Sequence, residues 1–135
     1  MLEVHDFEQW NVLRYEQGQH YFAHHDSFDP QLFGEFRERP WMQRHYTLLL
    51  YLSAPEEGGE TAFPAESRDR VADRDFSFES CDYGIKVRPQ KGDAVYFESL
   101  FPDLSLDKLS LHAGCPPSKG EKWVATKWIQ VGRYP

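Results

Sequence analysis

The chain has 135 residues, of which 40% are hydrophobic and 16% aromatic, and its formal net charge is −7. This length and composition fit a single packed domain over residues 1–135 and argue against intrinsic disorder. The acidic balance, with no basic stripe, disfavours a nucleic-acid partner, and no apolar run approaches the roughly 18–20 residues of a membrane-spanning segment.

Short β-rich runs, separated by Gly, Pro and acidic breaks, follow one another along the chain. These predicted strands lie at residues 10–16, 19–25, 44–52, 61–63, 85–88, 94–98, 109–113 and 122–131. Gly and Pro predict turns at residues 56–60, 89–93 and 116–120. Two further segments, residues 30–38 and 66–75, have weak helical character and are interpreted as loops or a helical turn. Many short strands at this spacing predict a mainly β fold, a barrel or a jelly roll.

Two histidines and an aspartate have the spacing of a metal site. In HYFAHHDSF, His24 and Asp26 would share one face of a strand, because side chains alternate along a strand with period two. A second histidine from a distant strand, His112, would complete a set of two histidines and one carboxylate. Non-haem Fe(II) oxygenases bind their metal through such a set and keep the remaining coordination positions open.

These assignments have alternatives. A lone H-x-D also occurs where the two side chains merely hydrogen-bond each other on a polar strand. His20 and His45 are rival third ligands, but neither is followed by the Gly-x-Lys arrangement that follows His112. His25 would face the opposite side of the strand, and we expect it to be a bystander.

Lys122 lies ten residues past His112, across a predicted turn, so it can return on the next strand as a cation beside the metal. Both faces of its strand carry large apolar groups, which predicts burial on both sides. A buried ammonium needs an anionic partner. A metal with open positions and a nearby cation suits a ligand that chelates through one end and carries a carboxylate at the other. 2-Oxoglutarate has that shape.

Four further residues are candidates for the walls of this site. Tyr15, Tyr21 and Thr47 lie on predicted strands near the ligand pair, although each alone is more often a core or edge residue. Tyr15 and Thr47 could donate hydrogen bonds to the carboxylate that Lys122 holds. Trp128 shares a strand face with Lys122 and would form a site wall.

With these residues assigned, the chain resembles the catalytic domain of prolyl 4-hydroxylases of the plant and algal type, within the Fe(II)/2-oxoglutarate dioxygenases. The resemblance runs nearly end to end. It is carried by LRYEQGQHYFAHHD, RHYTLLLYLSAPEEGGETAFP, VRPQKGDAVYF and PDLSLDKLSLHAGCPPSKGEKWVATKWI, in the order and spacing of the family.

The resemblance implies a double-stranded β-helix, which is a cupin-like jelly roll with few short helical segments. It makes His24, Asp26 and His112 the iron ligands. The residues it assigns to cosubstrate and substrate are Lys122, Tyr15 and Thr47 for the distal carboxylate of 2-oxoglutarate, and Tyr21 and Trp128 for the peptide proline.

The implied activity is hydroxylation of proline at C4 in a peptide or protein, with Fe(II), O2 and 2-oxoglutarate, ascorbate as reductant, and release of succinate and CO2. We expect a monomer. Cys81 and Cys115 match two cysteines of the plant-type enzymes that are suited to pair, which implies the endoplasmic reticulum or secretory pathway; a cytoplasmic location is the alternative.

The chain departs from the family in places. Glu98 replaces a usual aromatic residue, and Pro117 replaces a common Val. The N-terminal support region of the family is absent, so we expect a core fragment or a minimal natural form. The alternative functions are the same chemistry on a free amino acid or another protein, or a non-catalytic metal-binding jelly roll. Substrate choice would rest on loops at residues 27–43 and 64–81.

Overall fold

The computed structural model describes residues 3–28, 42–66 and 81–132, which consist mainly of β-strands and include a short 3₁₀ helix, Lys108–Ser110. The strands are β1 (Glu3–Phe7), β2 (Asn11–Tyr15), β3 (Tyr21–His24), β4 (Met42–Tyr51), β5 (Glu57–Gly58), β6 (Thr61–Phe63), β7 (Ile85–Val87), β8 (Ala94–Glu98), β9 (His112–Gly114), β10 (Pro117–Lys119) and β11 (Lys122–Gly132). The predicted helical segments at 30–38 and 66–75 lie outside these ranges, apart from Glu66.

The strands form antiparallel sheets organised around the long strand β11. Four strands of a five-stranded sheet follow the order β1-β11-β4-β8. The fifth strand, β2, pairs with the first half of β11, whereas β1 pairs with the last residues of β11. A four-stranded sheet has the order β3-β9-β6-β7, and β5 pairs with β10 in a small third sheet. The alternation of large apolar and polar residues along β4 and β11 allows one face of each strand to point into the core.

The inner faces of the two larger sheets meet in the core. Tyr15, Tyr51 and Val124 of the five-stranded sheet are buried together, and Val87 of the four-stranded sheet packs against them. The hydroxyl groups of Tyr51 and Thr61 lie 2.7 Å apart and join β4 to β6. Two facing antiparallel sheets closed in this way form the jelly roll that the sequence predicted, so the mainly β fold is confirmed.

Several local predictions need correction. The predicted turns at 56–60 and 116–120 contain β5 and β10, which pair with each other. The predicted strand at 109–113 is divided between the end of the 3₁₀ helix and the start of β9, and β1 was not predicted. The outer face of β11 is less covered than expected, since Trp123 is 38% exposed. Within the described ranges, no helix has the length and apolar character to cross a membrane.

A bulge in β4 changes the side to which its first residues point. Ile129 of β11 pairs with Tyr46, whereas the next residue, Gln130, pairs with Arg44. His45 is therefore the extra residue of the bulge. Both Arg44 and Thr47 consequently line the inner cavity, although strict alternation would place them on opposite faces.

Cys81 and Cys115 form a disulfide, with their Cα atoms 5.8 Å apart. Cys115 directly follows β9 and is buried. The pairing that the resemblance implied is therefore present, and it ties the segment before β7 to the end of β9.

Candidate metal centre and cosubstrate cavity

Three ligand atoms, one each from His24, Asp26 and His112, lie within 4.8 Å of one another. His24 ends β3 and is paired directly with His112 at the start of β9, which brings the two imidazoles to the same face of the sheet. Asp26 lies in a bend just after β3, not on the strand. The predicted set is therefore assembled, but by cross-strand pairing and a bend instead of by alternation along one strand.

Backbone carbonyls fix which nitrogen of each histidine carries the proton. His24 Nδ1 lies 2.7 Å from the carbonyl oxygen of Phe22, and His112 Nδ1 lies 2.9 Å from that of Ser110. A carbonyl oxygen only accepts, so each Nδ1 is the donor and each Nε2 of the neutral ring presents a lone pair. Both lone pairs point to the interior of the cluster.

The two Nε2 atoms converge on a single carboxylate oxygen. Asp26 Oδ1 lies 3.3 Å from His24 Nε2 and 3.4 Å from His112 Nε2. Two lone pairs and a carboxylate oxygen repel one another unless a cation lies between them. Two imidazole nitrogens and one carboxylate oxygen are the donor set of a non-haem Fe(II) site, so the residues present fit that metal.

Asp26 is held in its charged form. Burial raises the pKa of its carboxyl. The hydrogen bonds and positive charge that His112 and His24 supply when Nε2 is also protonated, together with the Thr47 hydroxyl, outweigh burial and bring the pKa well below its usual range. With neutral imidazoles, a bound cation would supply that positive charge. The Thr47 Oγ1 donates to Asp26 Oδ2 at 2.5 Å, on the side away from the histidines. The negative charge needed for a divalent cation is therefore present at neutral pH.

Lys122 lies on the inner face of β11 and is only 2% exposed. Its Nζ donates to the carbonyl oxygen of Gly59 at 2.7 Å and lies 4.7 Å from the centre of the Tyr15 ring. Burial lowers the pKa of Lys122 to about 8, although the charge of Glu60 opposes the shift. Among the described residues, no carboxylate lies within 4 Å of this ammonium. Its remaining donor capacity is available to an anion.

One cavity of about 440 Å³ contains all the residues that the sequence assigned to the site. The predicted residues that line it are His24, Asp26, His112, Lys122, Tyr15, Thr47, Tyr21 and Trp128. Tyr15 is paired with Lys122 across β2 and β11, and burial raises the pKa of Tyr15 to about 12. The Tyr15 hydroxyl therefore keeps its proton and can donate to an anion held by Lys122.

The predicted role of Thr47 differs from its observed contact. The Thr47 hydroxyl, predicted to donate to the cosubstrate, donates to Asp26. Thr61, which the sequence analysis did not single out, offers a buried hydroxyl in the same cavity, two residues after the Gly59 carbonyl that receives Lys122. No residue pattern marks Thr61 as a site residue, because its position depends on the pairing of β6 with β9.

The two substrate candidates line the cavity, and one of them contacts a metal ligand. The Tyr21 ring is 4.5 Å from the His24 ring, and Tyr21 is 49% exposed. One face of Trp128 is covered by the guanidinium of Arg44, which lies 3.8 Å from the indole centre. Arg44 forms two hydrogen bonds of 2.6 Å to Glu8. Sequence reasoning missed Arg44 as a cavity residue because the bulge that turns it inward cannot be recognised from alternation.

Three further histidines, His20, His25 and His45, lie outside the ligand cluster. His45 is buried, with its Nε2 3.4 Å from a Glu98 carboxylate oxygen. His20 lies at the surface, with its ring against Phe22. His25 lies beyond the end of β3 and lines the cavity, so the prediction that it faces away is wrong, although it is not one of the converging ligands.

The sequence profile of the 2OG-Fe(II) oxygenase superfamily matches residues 10–130. The chain belongs to this superfamily. Prolyl 4-hydroxylase 13 of Arabidopsis thaliana is 47% identical over 128 residues, which are 95% of this chain and 44% of that relative. Probable prolyl 4-hydroxylase 9 of the same plant is 48% identical over 123 residues, covering 91% of the chain and 41% of the relative.

A solved structure supports the same fold for this 2OG-Fe(II) oxygenase chain. The viral collagen prolyl hydroxylase of Paramecium bursaria Chlorella virus-1, solved as its 2OG complex, superposes with a TM-score of 0.70 at 37% sequence identity. The match covers 93% of this chain and 59% of the viral protein. The chain thus spans less than half the length of the curated relatives named above and over half of the viral structure.

Proposed function

We propose that the chain carries the catalytic site of an Fe(II)- and 2-oxoglutarate-dependent dioxygenase that hydroxylates proline at C4 in a peptide or protein. The observation that carries the proposal is that three converging metal ligands share one cavity with a buried lysine, which has no carboxylate within 4 Å of its ammonium in the part of the chain that the structure describes. The names of the relatives supply the substrate class, since they are prolyl 4-hydroxylases and a collagen prolyl hydroxylase.

His24, Asp26 and His112 would hold the iron. Bound Fe(II) and 2-oxoglutarate would supply the oxidative chemistry, in which O2 is consumed, succinate and CO2 are released and proline gains a hydroxyl group. Ascorbate would act as the reductant that keeps the iron ferrous.

The residues around the cavity bind and orient the cosubstrate. Lys122 would pair with the distal carboxylate of 2-oxoglutarate, and the protonated Tyr15 hydroxyl would donate to the same group. Thr61 offers a further hydroxyl in the same cavity. Burial of the ammonium strengthens this pairing, because a charge pair is attracted more strongly where water is excluded.

Tyr21 and Trp128 would receive the proline. Tyr21 is half exposed and in contact with the metal ligand His24, so a ring bound against it would lie next to the metal. An aromatic face offers apolar contact to a pyrrolidine ring at little conformational cost. Trp128 would contribute from the opposite sheet, alongside the stacked Arg44 guanidinium.

The test is succinate formation from 2-oxoglutarate, with and without a proline-rich peptide, together with mass spectrometry of the peptide. We expect succinate to increase with the peptide and the peptide to gain 16 Da per hydroxylated proline, as one oxygen atom adds. If succinate formation increases with a free amino acid or a proline-free protein instead, the assignment of a proline-containing peptide as substrate is wrong. Metal binding without succinate under any of these conditions would indicate a non-catalytic jelly roll.

We also propose an oxidising compartment of the secretory pathway. The Cys81–Cys115 disulfide supports this location, because structural disulfides persist mainly in such compartments. Thiol counting on denatured protein isolated without reductant tests it: we expect no reactive thiol, and two would remove the support.

A further inference from the structure

We propose that Thr47 is a positioning residue for the metal, which orients the Asp26 carboxylate so that one of its oxygens is presented to the ion. The inference deepens the proposed function and rests on the metal role assigned above. The two carboxylate oxygens of Asp26 would have separate roles: Oδ1 would bind the ion, and Oδ2 accepts the hydrogen bond from Thr47.

The two oxygens have different neighbours. Oδ1 lies 3.3 and 3.4 Å from the two histidine Nε2 atoms, inside the ligand cluster. Oδ2 accepts a hydrogen bond of 2.5 Å from the Thr47 hydroxyl. This length is typical of a hydroxyl donating to an ionised carboxylate. Such a hydrogen bond is about twice as strong as one between neutral groups.

Asp26 needs such support because of its place in the chain. It lies in a bend beyond the end of β3, so no strand pairing fixes its orientation. Thr47, by contrast, lies in the middle of β4, paired with Trp128 of β11 on one side and with Phe97 of β8 on the other. Its side chain is buried, with Thr47 only 1% exposed. The hydrogen bond therefore ties a ligand in a bend to a central strand of the opposite sheet.

This arrangement has a consequence for coordination. A carboxylate that uses both oxygens on one ion takes two positions, and one that uses a single oxygen takes one. Because Thr47 holds Oδ2, Asp26 would present Oδ1 alone to the ion and would leave a further position for a chelating cosubstrate. Without the hydroxyl, the buried Oδ2 would lose its donor and the carboxylate could rotate.

The test compares Thr47→Val, which has nearly the same shape but no hydroxyl, with Thr47→Ser, which keeps the hydroxyl. We expect Thr47→Val to weaken Mn(II) binding, measured by calorimetry without cosubstrate, by about 10–100-fold, as for loss of other partners of metal ligands. Thr47→Ser should bind within about threefold of the unmodified chain. The visible absorption of bound Co(II), which reports coordination, should change in Thr47→Val and not in Thr47→Ser.

Thr126→Val is the matched control, because Thr126 is also a buried threonine lining the cavity, on the neighbouring strand β11. It should keep its Mn(II) affinity. Equal affinity and an unchanged Co(II) spectrum in Thr47→Val would overturn the inference, as would equal losses in Thr47→Ser or Thr126→Val. Should Thr47→Val fail to fold, Thr47→Ala carries the same expectations. If the unmodified chain binds neither Mn(II) nor Co(II), the proposed function fails and not only the role of Thr47.

Discussion

Burial of Lys122 has opposite effects on folding and on ligand binding. The pKa of about 8 lies below the 10.5 of a free lysine, so the folded protein disfavours the charged form. Burial of the charged Lys122 therefore lowers the free energy of unfolding. This loss is present in full below about pH 8 and declines as the pH rises toward 10.5, where the unfolded chain also loses the proton. The same burial makes the ammonium a strong partner for an anion. A residue that destabilises the unliganded protein is thus suited to bind a carboxylate.

We predict that the affinity for 2-oxoglutarate falls above about pH 8, because only the protonated Lys122 pairs with the distal carboxylate. The dissociation constant of the Mn(II)-loaded protein should be level from pH 6.5 to 7.5 and approach a tenfold rise per unit above pH 8. Calorimetric titrations across this range measure it. Lys122→Arg is the control, since its guanidinium stays charged: it should bind more weakly but without this pH dependence. A profile shared by both proteins would contradict the assignment.

We predict that His112→Ala weakens Mn(II) binding by more than about 100-fold, since loss of a partner behind a ligand already costs 10–100-fold. A site with three protein ligands has no spare one. His45→Ala is the control for loss of a buried imidazole, as His45 is equally enclosed but lies beside Glu98. Comparable losses in both variants would mean that the cluster of His24, Asp26 and His112 is not the site.

At the scale of strands, the position of the Lys122 ammonium depends on Gly58 at the end of β5 and on Gly59, which follows it. Gly59 supplies the carbonyl that receives this ammonium, and Gly58 pairs with Pro117 of β10. Gly58 has φ of +76°, a conformation that glycine adopts without strain. A Cβ at this position would lie 2.7 Å from the Pro116 carbonyl oxygen and 2.8 Å from the Ser118 nitrogen. Both contacts are with backbone, so neither neighbour can rotate away.

We predict that Gly58→Ala lowers the free energy of unfolding by about 2–4 kcal/mol, combining backbone strain with overpacking. Gly18→Ala is the matched control, because Gly18 has φ of +81° and nothing within 4 Å of its added Cβ. It should cost only about 1–2 kcal/mol. Urea unfolding measures both. Gly58→Ala should also weaken 2-oxoglutarate binding, and equal stability of the two variants would show that the close contact is relieved at no cost.

The sequence predicted the strands that bear the site better than it predicted their connections. Alternation and β-branched composition placed β6 and β8 at their observed bounds and β4 and β11 within two residues. The short strands β5 and β10 were predicted as two turns, because they contain or adjoin Gly and Pro, which are the residues typical of turns. The bulge at His45 was also missed, and with it the inward position of Arg44, since a one-residue slip reverses the faces.

For the candidate site, the sequence predicted which residues lie together but not the contacts that each of them makes. The cavity contains His24, Asp26, His112 and Lys122, as expected. They were predictable because two histidines and a carboxylate form a known ligand set, and because a buried ammonium needs an anion. The partner of Thr47 depends on how the two sheets face each other, which no spacing within one chain segment specifies. The carbonyl partners of the two histidines likewise depend on local backbone geometry.

At the scale of the whole molecule, the cavity is built from both large sheets. The histidine ligands belong to the four-stranded sheet, through β3 and β9, whereas Lys122 and Tyr15 belong to the five-stranded sheet. A molecule that binds the metal at one end and Lys122 at the other therefore bridges the sheets. Metal and cosubstrate should stabilise the fold in separable steps, because each binds only the folded chain.

We predict that Mn(II) raises the midpoint of thermal unfolding and that 2-oxoglutarate raises it further only when Mn(II) is present. A ligand at 100 times its dissociation constant contributes about 2.7 kcal/mol, which is readily measured as a shift in Tm. In Lys122→Ala, the Mn(II) increment should remain and the 2-oxoglutarate increment should largely disappear, since removing one member of a buried charge pair costs about 3–5 kcal/mol. His112→Ala should lose both increments. A 2-oxoglutarate increment that is undiminished in Lys122→Ala would place the distal carboxylate elsewhere and contradict the bridge between the sheets.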